Sequence, residues 1–346
     1  MFTLKYLYKG KLRMKKLGMI LIAVFITLNL SSLAEASCGS SNCTLIRGSQ
    51  AGLANEGRFV VDLSYRYIRQ TDKKQGSSDF NGNVDVAKVD FENGDIEQQH
   101  HREIRTINEL AQLDISYGVT EKLTLSVNIP FLNDRTHEHI DGCGGGSCVG
   151  GEFTNADGSN GFGDITLMAK YAVFQTTKHL VIAGAGVKFS TGEFKLLNSE
   201  GNINEPTIMP GTGSTDAVIS ALYNFSFIPN KLGLFASASH RFTTENSLDY
   251  EFGDSTFIDV GGSYRVNEKI SLIAQINTRV SRRDEFLGLD VPNTGVTFIN
   301  VTPGIVVAAS ENVSLYTHVQ IPVYQRVNEV NLVPNFGILA GLSYGF

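Results

Sequence analysis

Tryptophan is absent from these 346 residues, proline numbers only eight, and no long apolar run follows the first thirty residues. A membrane-spanning helix needs about 20 consecutive apolar residues, so a helical membrane protein is excluded. Without tryptophan, any belt of interfacial aromatics must come from the 12 Tyr and 21 Phe. Scarce proline beside 35 glycines suits strands in close register with small side chains between them. Positive charge is also lacking. The whole chain carries −6, and removing the six Lys/Arg and one acid of residues 1–36 leaves −11. That balance gives a nucleic acid nothing to bind.

The first 36 residues read as an export signal. Met14-Lys15-Lys16 precedes an apolar run over 17–30, and Ala34-Glu35-Ala36 offers small residues for cleavage before Ser37. Residues 1–13 read as an extension upstream of a start at Met1 or Met14. Cys38 is a poor lipoprotein site, because Glu35-Ala36-Ser37 departs from a Leu-led box. At the other end, Phe336, Ile338, Ala340, Leu342, Tyr344 and Phe346 alternate with Gly337, Gly341, Ser343 and Gly345. Period two puts these apolar side chains on one face of a strand. A final strand ending on an aromatic resembles the signal read by the outer-membrane assembly machinery.

Eleven further runs alternate in the same way. They lie near 59–68, 112–117, 123–131, 164–173, 181–189, 217–225, 232–238, 258–264, 270–276, 299–307 and 313–321. Five tight polar turns and six longer loops join the twelve. The loops are expected over 71–103, 133–161, 191–214, 243–253, 282–294 and 325–333. The expected fold is all-β: a transmembrane antiparallel barrel of about 12 strands over 58–346, closed by the strand ending at Phe346. Short turns would face the periplasm and long loops the exterior. Residues 37–57 would form a periplasmic segment or a small hatch in the lumen.

Charges inside the runs fall opposite the aliphatic stripe. Asp62, Arg66, Asp114, Asp164, Lys170, Lys188, Asp216, Arg241, Asp259, Arg265, Arg279 and His318 are therefore expected to line the lumen, with Gln275, Asn277 and Gln320 beside them. Neither sign dominates, so no strong ion selectivity follows. Asp164 and Asp216 are expected to accept hydrogen bonds at the outer mouth from the backbone or from an arginine such as Arg241, Arg265 or Arg279. An oxidising compartment favours local disulfides in the two Cys-x4-Cys segments, Cys38 with Cys43 and Cys143 with Cys148. The competing metal reading rests on His137, His139, Cys143 and Cys148, with His100 and His101 in the preceding loop. Histidines on exposed loops are usually plain solvated side chains, so no metal and no cofactor is expected.

Two glycine-rich segments then carry a resemblance. Gly161-Phe162-Gly163-Asp164-Ile165-Thr166-Leu167-Met168-Ala169-Lys170-Tyr171 resembles the first signature of the outer-membrane family named for the meta-cleavage pathway of phenol degradation. Pro210-Gly211-Thr212-Gly213-Ser214 with Asp216 is similar to its second, and Tyr117-Gly118-Val119-Thr120 followed by Asn128-Ile129-Pro130-Phe131 to its second hairpin. The likeness covers about 59–346. It implies a monomeric channel in the outer-membrane lipid of a Gram-negative cell, passing small, often aromatic or hydrophobic, solutes. No enzyme activity is expected. A barrel that only binds through its loops is the alternative, and an outer-membrane lipid hydrolase a more distant one. His318 is the lumen histidine, but no His-x-Ser-Asn run accompanies it.

Overall fold

The computed structural model describes residues 52–143, 148 and 151–346. The export signal, the Cys38/Cys43 pair and residues 37–51 lie outside the described residues. Twelve long strands form the body: β1 Phe59–Gln75, β2 Asp95–Gly118, β3 Leu123–Ile140, β4 Thr166–Gln175, β5 His179–Lys188 and β6 Asp216–Ile228. The second half is β7 Leu232–Phe242, β8 Ser255–Arg265, β9 Ile270–Ser281, β10 Val296–Ala308, β11 Val313–Val327 and β12 Val330–Gly345. Each pairs antiparallel with the next. β1 also pairs with β12, from Val60 opposite Gly345 to Gln75 opposite Val330. The sheet therefore closes into a 12-strand barrel.

Burial follows the alternation. Along β1, Asp62, Ser64, Arg66 and Ile68 are buried while Leu63 and Tyr65 are exposed. The same exposed stripe continues through Leu125, Leu167, Tyr171, Ile219, Leu234, Val260, Leu272, Leu315, Ile338 and Leu342. An apolar band around a closed sheet is stable against lipid, because closure leaves no backbone edge unpaired in hydrocarbon. Aromatics gather at the turn end of the seam. Phe59 lies 4.6 Å from Tyr117 and 5.6 Å from Phe346, ring centre to ring centre.

Two expectations need correction. The 71–103 segment is largely strand, since β1 runs to Gln75, Val84–Asp90 is a strand and β2 begins at Asp95, and the 133–161 segment opens as strand, up to the end of β3 at Ile140. Above the lipid band the outward face becomes charged, as at Glu109 opposite Asp134. Hydropathy alternation stops there, but the backbone ladder does not depend on it. The 325–333 loop contracts to a two-residue turn between β11 and β12, with Glu329 in the left-handed region at φ 46°.

The strand Val84–Asp90 adds to the outer part of β2. Three pieces of two loops, Tyr250–Glu251, Glu285–Phe286 and Leu289–Asp290, make a small sheet of their own. Val89, Tyr250, Phe286 and Val291 form a buried cluster with Phe91, Ile96 and Phe252 packed on it. The loops at this end thus share a core of their own. At the turn end, the backbone N–H of buried Ala54 donates to the Oγ1 of Thr124 at 3.0 Å, and Thr124 faces inward.

The inner face is less polar than expected. Leu110, Phe235, Phe257, Ile273, Phe298, Tyr316 and Leu339 are all buried among the charges. Tyr316 of β11 crosses β12 and donates from its Oη to Asp62 of β1 at 2.6 Å. It passes over Gly341, where a Cβ would lie 2.3 Å from that Oη. Likewise His318 fills the space above Gly304, where a Cβ would come within 2.2 Å of its Nδ1.

Phe346 shares two backbone hydrogen bonds with Phe59, at 2.9 and 3.0 Å, and its ring stacks on Phe59 and Tyr344. Phe346→Asp is expected to lower the yield of heat-modifiable barrel several-fold while leaving export intact. Normal yield would show that this end of the seam is dispensable. In a background with all four cysteines replaced by serine, a cysteine at exposed Asp79 is expected to label on whole cells. One at Glu268, in the β8–β9 turn, should label only after lysis. The reverse pattern would invert the assigned orientation.

Candidate site inside the outer mouth

The long connection 191–214 between β5 and β6 does not stay at the rim. Its residues Asn204, Ile208 and Met209 are buried. The Nδ2 of Asn133 on β3 donates to the Pro210 carbonyl at 2.6 Å, and the Ser159 hydroxyl donates to the Ile208 carbonyl. Side chains of the wall therefore hold the backbone of this segment. A loop anchored to inward-facing residues narrows the mouth of the barrel.

One cation sets that anchor. Lys188, at the end of β5, is buried, with its Nζ 2.9 Å from Asp164 and 3.0 Å from Asp216. It also donates to the Thr212 hydroxyl. Asp164 accepts from the backbone N–H groups of Thr191, Gly192 and Thr212 at 2.9–3.1 Å. The two glycine-rich segments thus meet across the fold at one lysine. Gly161 stands against Pro210, where a Cβ would lie 3.3 Å from the proline Cγ. The backbone donors expected for Asp164 are found, while the expected arginine is replaced by Lys188, which bridges both acids because β5 lies between them in the sheet.

The other inward residues are placed as follows. Asp62 accepts from Tyr316, and Asp114 from Gln112 and Asn128 at 2.5 and 2.6 Å. Asp259 accepts from Ser237 and Asn277. Arg66, Arg279 and His318 are buried on the inner face, with Lys170 and Arg241 partly so. Asp284, in the loop after β9, is buried and accepts from Tyr250 Oη at 2.6 Å. Burial raises its pKa to about 6, against the pull of the Gly253 N–H, Tyr250, Arg279 and Arg241. Arg265 is exposed at the turn end. His240 lies at the strand rim against Phe242, with its Nδ1 2.8 Å from the Thr256 hydroxyl.

A second cluster lies farther out. The outer extensions of β2 and β3 bring together His101, Glu103, His137 and His139. Loop 191–214 adds Glu205, and the segment after β3 adds Asp141 and Asp157. His101 and Glu103 stand six to eight residues beyond Glu109, roughly 20 Å outside the lipid band at ~3.4 Å per residue. His101 Nε2 is 3.4 Å from Glu103 Oε1 and 3.2 Å from Glu205 Oε1. His137 Nδ1 is 3.6 Å from Glu103 Oε2. His139 Nε2 is 3.1 Å from Asp141 and 3.3 Å from Asp157. His101 and His137 are each only 1% exposed.

Burial opposes the charge of His101, but Glu205 and Glu103 outweigh it and lift its pKa to about 9. Burial would likewise raise Glu103, yet His137 and His101 hold it well below the carboxylate range. His139 goes the other way, lowered by burial and by its neighbours His137 and His101. The cluster is a dense array in which buried imidazoles meet half-buried carboxylates.

The sequence reading missed most of it. Sequence places His101 with His100 only as loop neighbours of the His137–Cys148 segment, and no motif flags Glu103 or Glu205. Cys143 and Cys148 are joined in a disulfide and supply no thiolate to a metal, which corrects their candidacy. His137 joins His101, Glu103 and Glu205, while His139 turns toward the two aspartates. A period-two reading carried past the lipid band would have placed 137 and 139 on the inner face.

The family model described as "Putative MetA-pathway of phenol degradation" matches residues 92–326. No curated protein matches the chain. Among solved structures, the COG4313 outer membrane channel from Pseudomonas putida F1 is similar at a TM-score of 0.60 and 15% identity. That match covers 88% of this chain and all of the other. The P. putida toluene transporter TodX matches at 0.41 and 12% identity, over 92% of this chain and 99% of that one. The first likeness establishes a shared barrel fold; the second is too distant to add to it.

Removing one partner of a buried ion pair costs about 3–5 kcal/mol, because the other charge is stranded. Lys188→Met strands two aspartates and frees loop 191–214. It is expected to lower the temperature at which the barrel loses heat-modifiable mobility and to speed protease cleavage within 191–214. Unchanged cleavage would mean the loop is held without the lysine.

Proposed function

Since the chain belongs to the phenol-degradation meta-cleavage family, we propose that it is an outer-membrane channel for passive passage of small solutes, aromatic or hydrophobic compounds among them. The observation that carries this reading is the composition of the inner wall. Hydrogen-bonded acids, Asp62 with Tyr316 and Asp259 with Asn277, alternate with Phe257, Phe298 and Leu339. A purely polar lumen would favour sugars and ions. Apolar side chains within it offer a solute about 25 cal/mol for each Å² of apolar surface covered. Phenols present both an apolar face and a hydroxyl, and match such a wall.

The path is narrow. A 12-strand barrel lies between small barrels filled by their own side chains and wide water-filled porins. At the turn end a hollow of about 330 Å³ is lined by Phe235, Ser263, Arg265, Ser271 and Ile273. At the outer end a hollow of about 80 Å³ lies under the loops, bordered by Gln70, Asn108, His137, Ile208 and Tyr250. Loop 191–214 stands beside the second and is the natural constriction. The charges are balanced, so the channel discriminates little between anions and cations. The protein works as a monomer, is exported by the general secretory route with 1–36 removed, and is inserted by the outer-membrane assembly machinery. Residues 52–57 stand at the turn end, where the Ala54 N–H meets Thr124. The chemistry is passage, not catalysis.

Planar-bilayer recording of the refolded protein, with liposome swelling over sugars, amino acids and phenols, tests the reading. A small conductance with weak ion preference is expected, and faster entry of phenols than of sugars of similar mass. Replacing residues 205–210 by a Gly/Ser linker should raise conductance several-fold. A folded barrel that is silent in both assays, with and without the linker, would overturn the channel reading in favour of loop-mediated binding.

A further inference from the structure

We propose that His101, Glu103, His137 and Glu205 form a binding site for a divalent transition-metal ion of the zinc type, which ties loop 191–214 to the barrel wall. One ligand atom from each residue lies within 4.8 Å of every other. Two imidazoles and two carboxylates are donors that zinc accepts, at bonds of about 2.0–2.2 Å. Ligands placed tetrahedrally at that distance lie roughly 3.4 Å apart. The spacings from His101 Nε2 to Glu205 Oε1 and to Glu103 Oε1, 3.2 and 3.4 Å, fall around that value, and His137 Nδ1 lies 3.6 Å from the other oxygen of Glu103.

The same spacings are long for the alternative, a cluster held by protons alone. Charge-assisted hydrogen bonds between nitrogen and a carboxylate run about 2.7–2.9 Å. One atom facing the site, Glu103 Oε2, is buried and lacks any hydrogen bond, an uncommon state unless a water or ion supplies it. The imidazoles disfavour calcium and magnesium, which take oxygen ligands. His139 packs beside the site, its ring centre 4.9 Å from that of His101, and with Asp141 and Asp157 forms an adjoining polar wall.

The ligands differ in origin, and that gives the site its consequence. His101 and Glu103 stand on β2 and His137 on β3, in one hydrogen-bonded sheet. Glu205 comes from the inserted loop. Asn204, next to it, already donates to the Asp157 carbonyl at 2.8 Å. A bound ion would cross-link wall and loop at the constriction. Its effect on conduction rests on the channel reading, whereas the site itself does not.

The test uses the full refolded barrel, dialysed free of metal and titrated with zinc alone by calorimetry, with bound metal counted by elemental analysis. One zinc per barrel at micromolar affinity or tighter is expected. His137→Ala and Glu205→Gln should each weaken binding at least ten-fold, with folding confirmed by heat-modifiable mobility. His179→Ala and His240→Ala, far from the cluster, should leave it unchanged. Glu205→Gln is the more informative variant, since it changes the loop and leaves the strand ladder intact. Zinc should also slow protease cleavage within 191–214 in the wild type and not in Glu205→Gln. No binding, or binding that survives both ligand variants, would overturn the site and leave a structural ion-pair cluster. In bilayers, zinc should reduce wild-type conductance and spare Glu205→Gln. A barrel that binds zinc through these residues yet never conducts would uphold the site and overturn the channel reading.

Discussion

The pairing of β1 with β12 is the constraint from which the rest of the structure follows. Twelve antiparallel strands in an open sheet would leave two edges of unpaired N–H and C=O groups, each costly in hydrocarbon. Closure removes both. The seam runs from Val60 opposite Gly345 to Gln75 opposite Val330, so it extends well beyond the lipid band. It is reinforced across three strands, since Tyr316 of β11 reaches over Gly341 of β12 to Asp62 of β1. Closure also makes the inner face an enclosed space. Polar groups placed there must satisfy one another, which is why so many are hydrogen-bonded in pairs.

That enclosed space is occupied unevenly. The lumen charges brace the wall, as Asp114 does by accepting from Gln112 and Asn128. Buried aromatic and aliphatic side chains sit between them. At the outer end, loop 191–214 is drawn inward and held by Lys188 and its two aspartates. The glycine-rich signatures owe their composition to this junction. Gly192 and Gly211 approach each other so closely that a Cβ on Gly211 would lie 2.4 Å from the Gly192 carbonyl oxygen. Gly163 leaves equally little room, since a Cβ there would meet the Pro130 ring at 2.9 Å. The family motif is therefore a structural clamp on a loop, and its acids are spent on positioning.

Beyond the lipid band, the barrel continues as a solvated extension with a different chemistry. Its outward face carries Glu109, Asp134 and the Arg105–Glu138 pair. Its inner face carries the histidines, and the loops above share the hydrophobic core around Tyr250 and Phe286. The histidine cluster thus lies where three parts of the chain converge: the wall, the inserted loop and the segment after β3. Burying imidazoles among carboxylates in one place sets their protonation by mutual charge, as His101 and Glu103 show.

Period-two alternation, read alone, determined the fold class and the strand number. The physical reason is local: lipid on one side and a polar lumen on the other impose their pattern residue by residue. The two glycine-rich segments likewise identified the family, because backbone crowding admits only small residues there. Tertiary structure decided what no period encodes. The strands beyond the lipid band escaped notice because water wets their outer face and erases the alternation. Lys188, rather than an arginine, bridges Asp164 and Asp216 because of strand order in the closed sheet. Glu205 reaches His101 across more than a hundred residues only because a loop turns inward. Neighbours so far apart in sequence are brought together by closure and by the loop's anchors, and local composition carries no record of either.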